Sequence, residues 1–161
     1  MTALTAAPVV PQDPFDPETF DLGSSLAYLL VRARNTLSQG LEQEVSQMGM
    51  THAQACCLMM LAGGHAATPG DVARHLNTDA GAVTRLLDRM ERRGLIARRR
   101  GEADRRVVYL TLTDEGSAMV RNLPAVFCDV MRRSFAGFSA GEIAVLRELL
   151  QKVVANGVGA G

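Results

Sequence analysis

The apolar positions along the chain follow two different periods. Leu22, Leu26, Leu29, Leu30, Ala33, Leu37, Leu41 and Val45 recur at three- and four-residue spacing, which lays one stripe along a long first helix. Its start is predicted at Asp16-Pro17-Glu18, with Asp as N-cap and Pro in the first turn, or slightly later at Asp21. Thr51-His52-Ala53-Gln54 reads as a capping box opening a second helix, which runs to about Ala62 and stops at Gly63-Gly64. Thr68-Pro69-Gly70-Asp71 opens a short third helix ending near Leu76. Asn77-Thr78 predicts a tight turn and cap before a fourth helix, Asp79 to about Arg93, on which Val83, Leu86, Leu87 and Met90 share a face and which Gly94 closes as a left-handed residue.

After Gly94 the period shortens. Leu95 to Arg99 and Val107 to Leu112 are aliphatic and β-branched runs flanking a charged Gly101-Glu102-Ala103-Asp104 turn, the pattern of a β-hairpin. Thr113-Asp114-Glu115 caps a fifth helix carrying Met119, Val120, Leu123, Val126, Phe127, Val130 and Met131, with a kink expected at Pro124. Ser139-Ala140-Gly141-Glu142 is a further capping box, and Ile143, Leu146, Leu149, Leu150 and Val153 line one side of a last helix before a frayed tail from Gly157. Residues 1–15, rich in Ala, Pro and Thr with Pro8, Pro11 and Pro14, read as an extended or disordered tail. Nothing else divides the chain: there is no internal repeat and no low-complexity linker.

A short helix, a tight turn, a second helix with a basic C-terminal half and then a basic hairpin is the order of a winged helix-turn-helix. The second helix of such a pair fits the major groove of B-DNA, while the hairpin reaches the neighbouring minor groove or backbone. The predicted fold is therefore mainly α with a small β-hairpin wing. A winged helix-turn-helix over 50–112 is flanked by a helical dimerisation region made by the N- and C-terminal helices, 16–49 and 113–156.

Charge changes the picture more than composition does. The 161-residue chain is formally neutral, yet between Arg85 and Arg106 nine arginines stand against four acids, a local net of +5. Such a segment is polarised as a polyanion-binding surface is, because each neutralised phosphate releases condensed counterions. On the fourth helix Asp79, Ala80, Ala82, Thr84, Arg85 and Arg89 are left outside the apolar face. Thr84 suits a base edge or phosphate, and Arg85 can fork onto guanine O6 and N7. Arg99, Arg105 and Arg106 belong to the wing, where an arginine can enter a narrow minor groove and Asp104 can orient a guanidinium.

The stretch from Asp79 through Gly94 to Arg98, followed by Asp104-Arg105-Arg106-Val107-Val108-Tyr109-Leu110-Thr111-Leu112-Thr113, resembles the multiple-antibiotic-resistance regulator (MarR) family. The likeness covers most of the chain, is strongest from Met50 to Gly116, and includes the D-x-R-x-x-x-L-T signature as Asp104, Arg106, Leu110 and Thr111. It implies a homodimer with interlocked terminal helices and two winged domains on a pseudo-palindromic stretch of double-stranded DNA. It also implies base or groove contacts from Thr84 and Arg85 and a minor-groove contact from Arg106. The residues alone press in the same direction: the stripes on the first, fifth and sixth helices have no partner within a winged domain and must bury against one another or against a second chain.

The resemblance further implies a small phenolic or aromatic-acid effector, held in a crevice between the dimerisation helices and the winged domain. Arg32, Arg34 and His52 are the groups that can meet such an anion, each equally explicable as a surface or capping residue. Some relatives sense peroxide through a cysteine near the start of the first long helix. This chain has none before Cys56, and Cys56, Cys57 and Cys128 read as apolar filler, with a thiol-redox-responsive regulator as the alternative. His52 and Cys56 share a helix face but belong to no four-ligand cluster, so neither a metal nor a cofactor is expected. No Ser/His/Asp or Cys/His arrangement, phosphate-binding loop or carboxylate pair emerges, which argues against an enzyme. No run of about 18 apolar residues and no signal peptide occur either, so a soluble, cytoplasmic protein without membrane contact is expected.

Overall fold

The computed structural model describes residues 15–158, and the chain divides into two compact units, 1–36 and 37–161. All of the expected 1–15 tail except Phe15 lies outside the described residues. In the first unit Asp16 caps only a single 3-10 turn, Pro17–Thr19, its carboxylate accepting the Glu18 N–H at 2.9 Å. Asp21 likewise accepts the Ser24 N–H at 2.8 Å, and helix α1 (Leu26–Ser46) begins only there, with the Ser25 hydroxyl accepting the Tyr28 N–H. The expected start at Asp16 or Asp21 is thus corrected to Leu26. Each aspartate satisfies a nearby backbone donor in a closed turn, which competes with helix propagation.

In the second unit the last turns of α1 bury Leu41 and Val45. The α2 helix (His52–Ala62) opens on the expected capping box: the Thr51 hydroxyl accepts the Gln54 N–H, and the Gln54 amide oxygen accepts the Thr51 N–H at 3.0 Å. Helix α3 (Pro69–Leu76) opens on a second box, Thr68 with Asp71, and ends at Asn77, which takes a left-handed conformation at φ 47°. Helix α4 (Ala80–Arg92) follows, capped by Asp79 itself rather than by Asn77-Thr78. Gly94 then turns the chain at φ 69°, as its position predicted.

Strands β1 (Ile96–Arg100) and β2 (Val108–Leu112) form an antiparallel hairpin in the register Ile96 to Leu112 through Arg100 to Val108. Its base is anchored in the core by Leu95, Ile96 and Leu110, and the Leu110 N–H also donates to the Ala67 carbonyl at 2.8 Å. Helix α5 (Asp114–Ser134) packs its first turn against the Leu95 backbone so closely that a Cβ on Gly116 would sit 2.0 Å from the Leu95 carbonyl oxygen. Only glycine fits there. Pro124 lies inside α5 without ending it, and Leu123 and Val130 are buried.

The core formed by these elements is continuous: Val45, Cys57, Leu58, Val72, Val83, Leu87, Met90 and Leu123 belong to one cluster. The last helix, α6 (Ala140–Val158), starts at the expected Ser139–Glu142 box and extends beyond Gly157, where fraying was expected. Residues 159–161 lie outside the described residues. Among its described residues none is buried.

Candidate nucleic-acid interface

Helix α4 is amphipathic by construction. Val83, Leu86, Leu87 and Met90 are buried, so the helix is fixed to the core by one side while Thr84, Arg85 and Arg89 are exposed on the other and Ala82 is half-buried. Its N-terminal turn is Ala80-Gly81-Ala82, small residues that keep the helix end narrow. Asp79 is exposed, and its carboxylate accepts the Ala82 N–H at 2.8 Å. That hydrogen bond, with the nearby Arg85 guanidinium, holds the Asp79 carboxyl below its ordinary range. The Thr84 hydroxyl donates to the Ala80 carbonyl at 2.8 Å, so what it can offer a further partner is its acceptor capacity.

Arg99 on β1 and Arg105 and Arg106 in the turn between the strands are exposed. Asp104 behaves differently from expectation. Its carboxylate accepts the backbone N–H of Arg106 at 2.9 Å, and its carbonyl accepts the Val107 N–H at 3.1 Å, so it shapes the turn instead of pairing with a guanidinium. The physical reason is reach: a two-residue separation within a turn brings the short Asp side chain onto the backbone amide before any arginine head group. Gly101 is required at the other side of the tip, where a Cβ would lie 2.7 Å from the Asp104 carbonyl oxygen.

Two arginine contacts, one ionic and one a hydrogen bond to a backbone carbonyl, were not legible in the sequence. Arg98 on β1 reaches back to α4, its Nη1 2.7 Å from Asp88 Oδ1 and 2.9 Å from Glu91 Oε2. Arg93, the residue that ends α4, donates from Nη1 to the Gly49 carbonyl at 2.5 Å, tying α4 to the turn between α1 and α2. Alternation along β1 was a faint signal for the first, because Arg98 shares a strand face with buried Ile96. The Arg98 contact sets one cation between two carboxylates, while the other eight arginines of the segment are exposed and its net stays at +5.

The remaining candidate residues are placed as follows. Arg32 and Arg34 are exposed on α1, and the Arg32 guanidinium lies 5.8 Å from the centre of the Tyr28 ring. His52 is half-buried in the first turn of α2; its backbone N–H donates to Glu42 Oε2 at 2.6 Å, and its ring is tilted against Phe127 at 6.2 Å. Cys57 is buried, and burial pushes its thiol up to about 12; Cys56 is raised by the same cause, while Cys128 is exposed. Among the described residues no group of three or more His, Cys, Asp or Glu is placed to hold a metal ion, and no helix is long and apolar enough to cross a membrane.

Comparison with known proteins agrees with this geometry. The family model described as "MarR family" matches residues 48–107, from the turn after α1 to the residue before β2. The organic hydroperoxide resistance transcriptional regulator of Bacillus subtilis is 30% identical over 98 residues, 61% of this chain and 67% of that protein. The HTH-type transcriptional repressor Rv2887 of Mycobacterium tuberculosis is 27% identical, over 80% of this chain and 92% of its own length, and its crystal structure in complex with p-aminosalicylic acid superposes with a TM-score of 0.69. The crystal structure of a MarR mutant from E. coli complexed with operator DNA superposes with a TM-score of 0.71 at 29% identity, over 80% of this chain and 92% of that one.

Proposed function

This chain belongs to the MarR family of DNA-binding transcriptional regulators, and on that premise we propose that it is a homodimeric, cytoplasmic repressor released from a pseudo-palindromic operator by a small aromatic or phenolic acid. Membership makes it a regulator and not an enzyme. The observation that carries the reading is the set of eight exposed arginines on α4 and the hairpin, in a segment where nine arginines stand against four acids. In this reading Thr84, Arg85 and Arg89 enter the major groove with Ala82 against it, Asp79 holds the helix end, and Arg99, Arg105 and Arg106 follow the backbone and minor groove from a wing shaped by Asp104.

The second copy is argued from α6. Ile143, Leu146, Leu150 and Val154, with Met131, Phe135 and Phe138, line an open apolar groove of about 740 Å³, and Val145, Leu149 and Val153 are exposed beside it. A symmetric partner covers such a surface, and it sets two recognition helices about 34 Å apart, one turn of duplex.

The p-aminosalicylic acid complex of the mycobacterial repressor supports an aromatic acid as effector. For its carboxylate the candidate groups are Arg32, Arg34 and His52, each taken separately. Burial raises the Cys56 and Cys57 thiols, which disfavours thiolate oxidation at those two positions and leaves exposed Cys128 as the thiol for a redox trigger.

The test is fluorescence-anisotropy binding to the duplex upstream of the protein's own gene, at two salt concentrations, with and without salicylate. Salt-sensitive nanomolar binding relieved by salicylate is the expected result. Tight binding indifferent to salicylate overturns the effector, and sedimentation as a monomer in the bound state overturns the dimer.

A further inference from the structure

Among the described residues, Arg98 is the one arginine of the basic cluster held by two carboxylates at once. Asp88 and Glu91 stand three residues apart on one flank of α4, and Arg98 on β1 lies between them with its side chain 28% exposed. Its strand neighbours Arg99 and Arg100 are exposed. The Arg98 head group therefore sits in the junction between recognition helix and wing. If α4 occupies the major groove and the wing the adjacent minor groove, the phosphates of one strand pass over this junction, so the inference rests on the function proposed above.

An arginine in that place is a phosphate ligand by position, and two acids beside it are repulsive by position. Neither is explained by folding. The pairs are partly exposed, and partly exposed ion pairs contribute little to stability. Leu95, Ile96 and Leu110 already anchor the hairpin in the core. What the two carboxylates do change is the number of cations offered to DNA. Sequence-independent affinity grows with each phosphate neutralised, through counterion release. Random genomic sequence competes for a regulator in great excess, so withholding one cation has a use.

We propose that Asp88 and Glu91 act as internal phosphate mimics, holding the Arg98 guanidinium off the DNA backbone and limiting sequence-independent binding. In wild type Arg98 is then a silent member of the basic cluster. The operator is read by α4 and the wing tip without it.

The experiment is a salt titration of binding to a random-sequence 30-base-pair duplex, beside the upstream fragment, using wild type, Asp88→Asn/Glu91→Gln, the same double with Arg98→Gln, and Arg98→Gln alone. The double variant is expected to bind random duplex about three- to tenfold more tightly at low salt, with the slope of log K against log salt steeper by about 0.9, one further phosphate. Adding Arg98→Gln removes that extra slope, and Arg98→Gln alone leaves the wild-type slope unchanged.

Three results overturn the proposal: a double variant with wild-type affinity and slope on random duplex; a triple variant as steep as the double, in which loss of acid charge alone suffices; or a shallower slope for Arg98→Gln alone, which places Arg98 on phosphate already. Where the double variant is not folded by circular dichroism, Glu91→Gln alone carries the same test. Wild type that binds neither duplex overturns the DNA-binding reading itself, a result distinct from wild type that binds while the variants do not differ from it.

Discussion

The α2–α4 and hairpin region and the α6 helix use similar amounts of aliphatic sequence to opposite ends. In the first, Cys57, Leu58, Val72, Val83, Leu87, Met90, Leu95 and Ile96 are all at or below 2% exposure, so the chain closes its own core there. In the second, Val145, Leu149, Val153 and Val154 are each more than half exposed, on a helix as regular as any in the molecule. Helical periodicity is thus a statement about a face and not about what covers it. The winged region buries its aliphatic residues within one chain, whereas α6 leaves an apolar face exposed, the face to which we assign a second copy.

That contrast can be broken at either side. The largest effect is expected from Leu87→Ala, 1% exposed on the buried side of α4, which removes buried methyl groups and leaves a cavity; unfolding in denaturant is expected to lose about 2–5 kcal/mol. A loss under about 1 kcal/mol would mean that the site collapses or was never tightly packed. Val154→Glu on α6, 66% exposed, is expected to leave the helical circular dichroism intact while raising the dimer dissociation constant about tenfold or more in sedimentation equilibrium. A dimer unaffected by that charge would move the interface elsewhere.

Smaller effects sharpen the functional side of the comparison. Arg106→Ala is expected to weaken operator binding by about 1–3 kcal/mol with the dimer intact, and Arg85→Ala to lose discrimination among bases as well as affinity. Unchanged operator affinity for the first removes the wing tip from the mechanism, and unchanged base preference for the second displaces α4 from the major groove.

The smallest effect belongs to the α3 cap. Thr68→Ala is expected to cost about 0.5–2 kcal/mol in thermal unfolding. Asp71 in the same box accepts hydrogen bonds from the Ala67 and Thr68 N–H groups and the Thr68 hydroxyl, which hold its carboxyl down at about 2. A folded-state value below the ordinary carboxylate range gives stability that is present above about pH 4 and lost as pH falls toward 2. Asp71→Asn is expected to flatten the melting temperature between those limits, and an unchanged acid slope would assign it to other carboxylates.

Much of the winged region was legible in the residues because its signals are local. Thr51 with Gln54, Thr68 with Asp71 and Ser139 with Glu142 close their hydrogen bonds within four residues, and Gly94 takes the left-handed turn its place after a helix requires. The α1 start was misplaced for the converse reason: Asp16 and Asp21 carry the same local chemistry as a cap, and it closes turns instead. Asp104 was assigned to a guanidinium because charge type suggests a partner while turn geometry decides which donor is within reach.

Periodicity, capping chemistry and the clustering of arginines suffice to place the helices, the hairpin and the basic face, since each depends on residues a few positions apart. The contacts that set how that face works depend on packing. Arg93 meets the carbonyl of Gly49 across 44 residues, and Arg98 meets Asp88 and Glu91 only because the hairpin folds back along α4. Which of nine arginines are free to meet a phosphate is therefore a property of the folded surface, because a formal charge in a sequence carries no record of the carboxylate that will stand beside it.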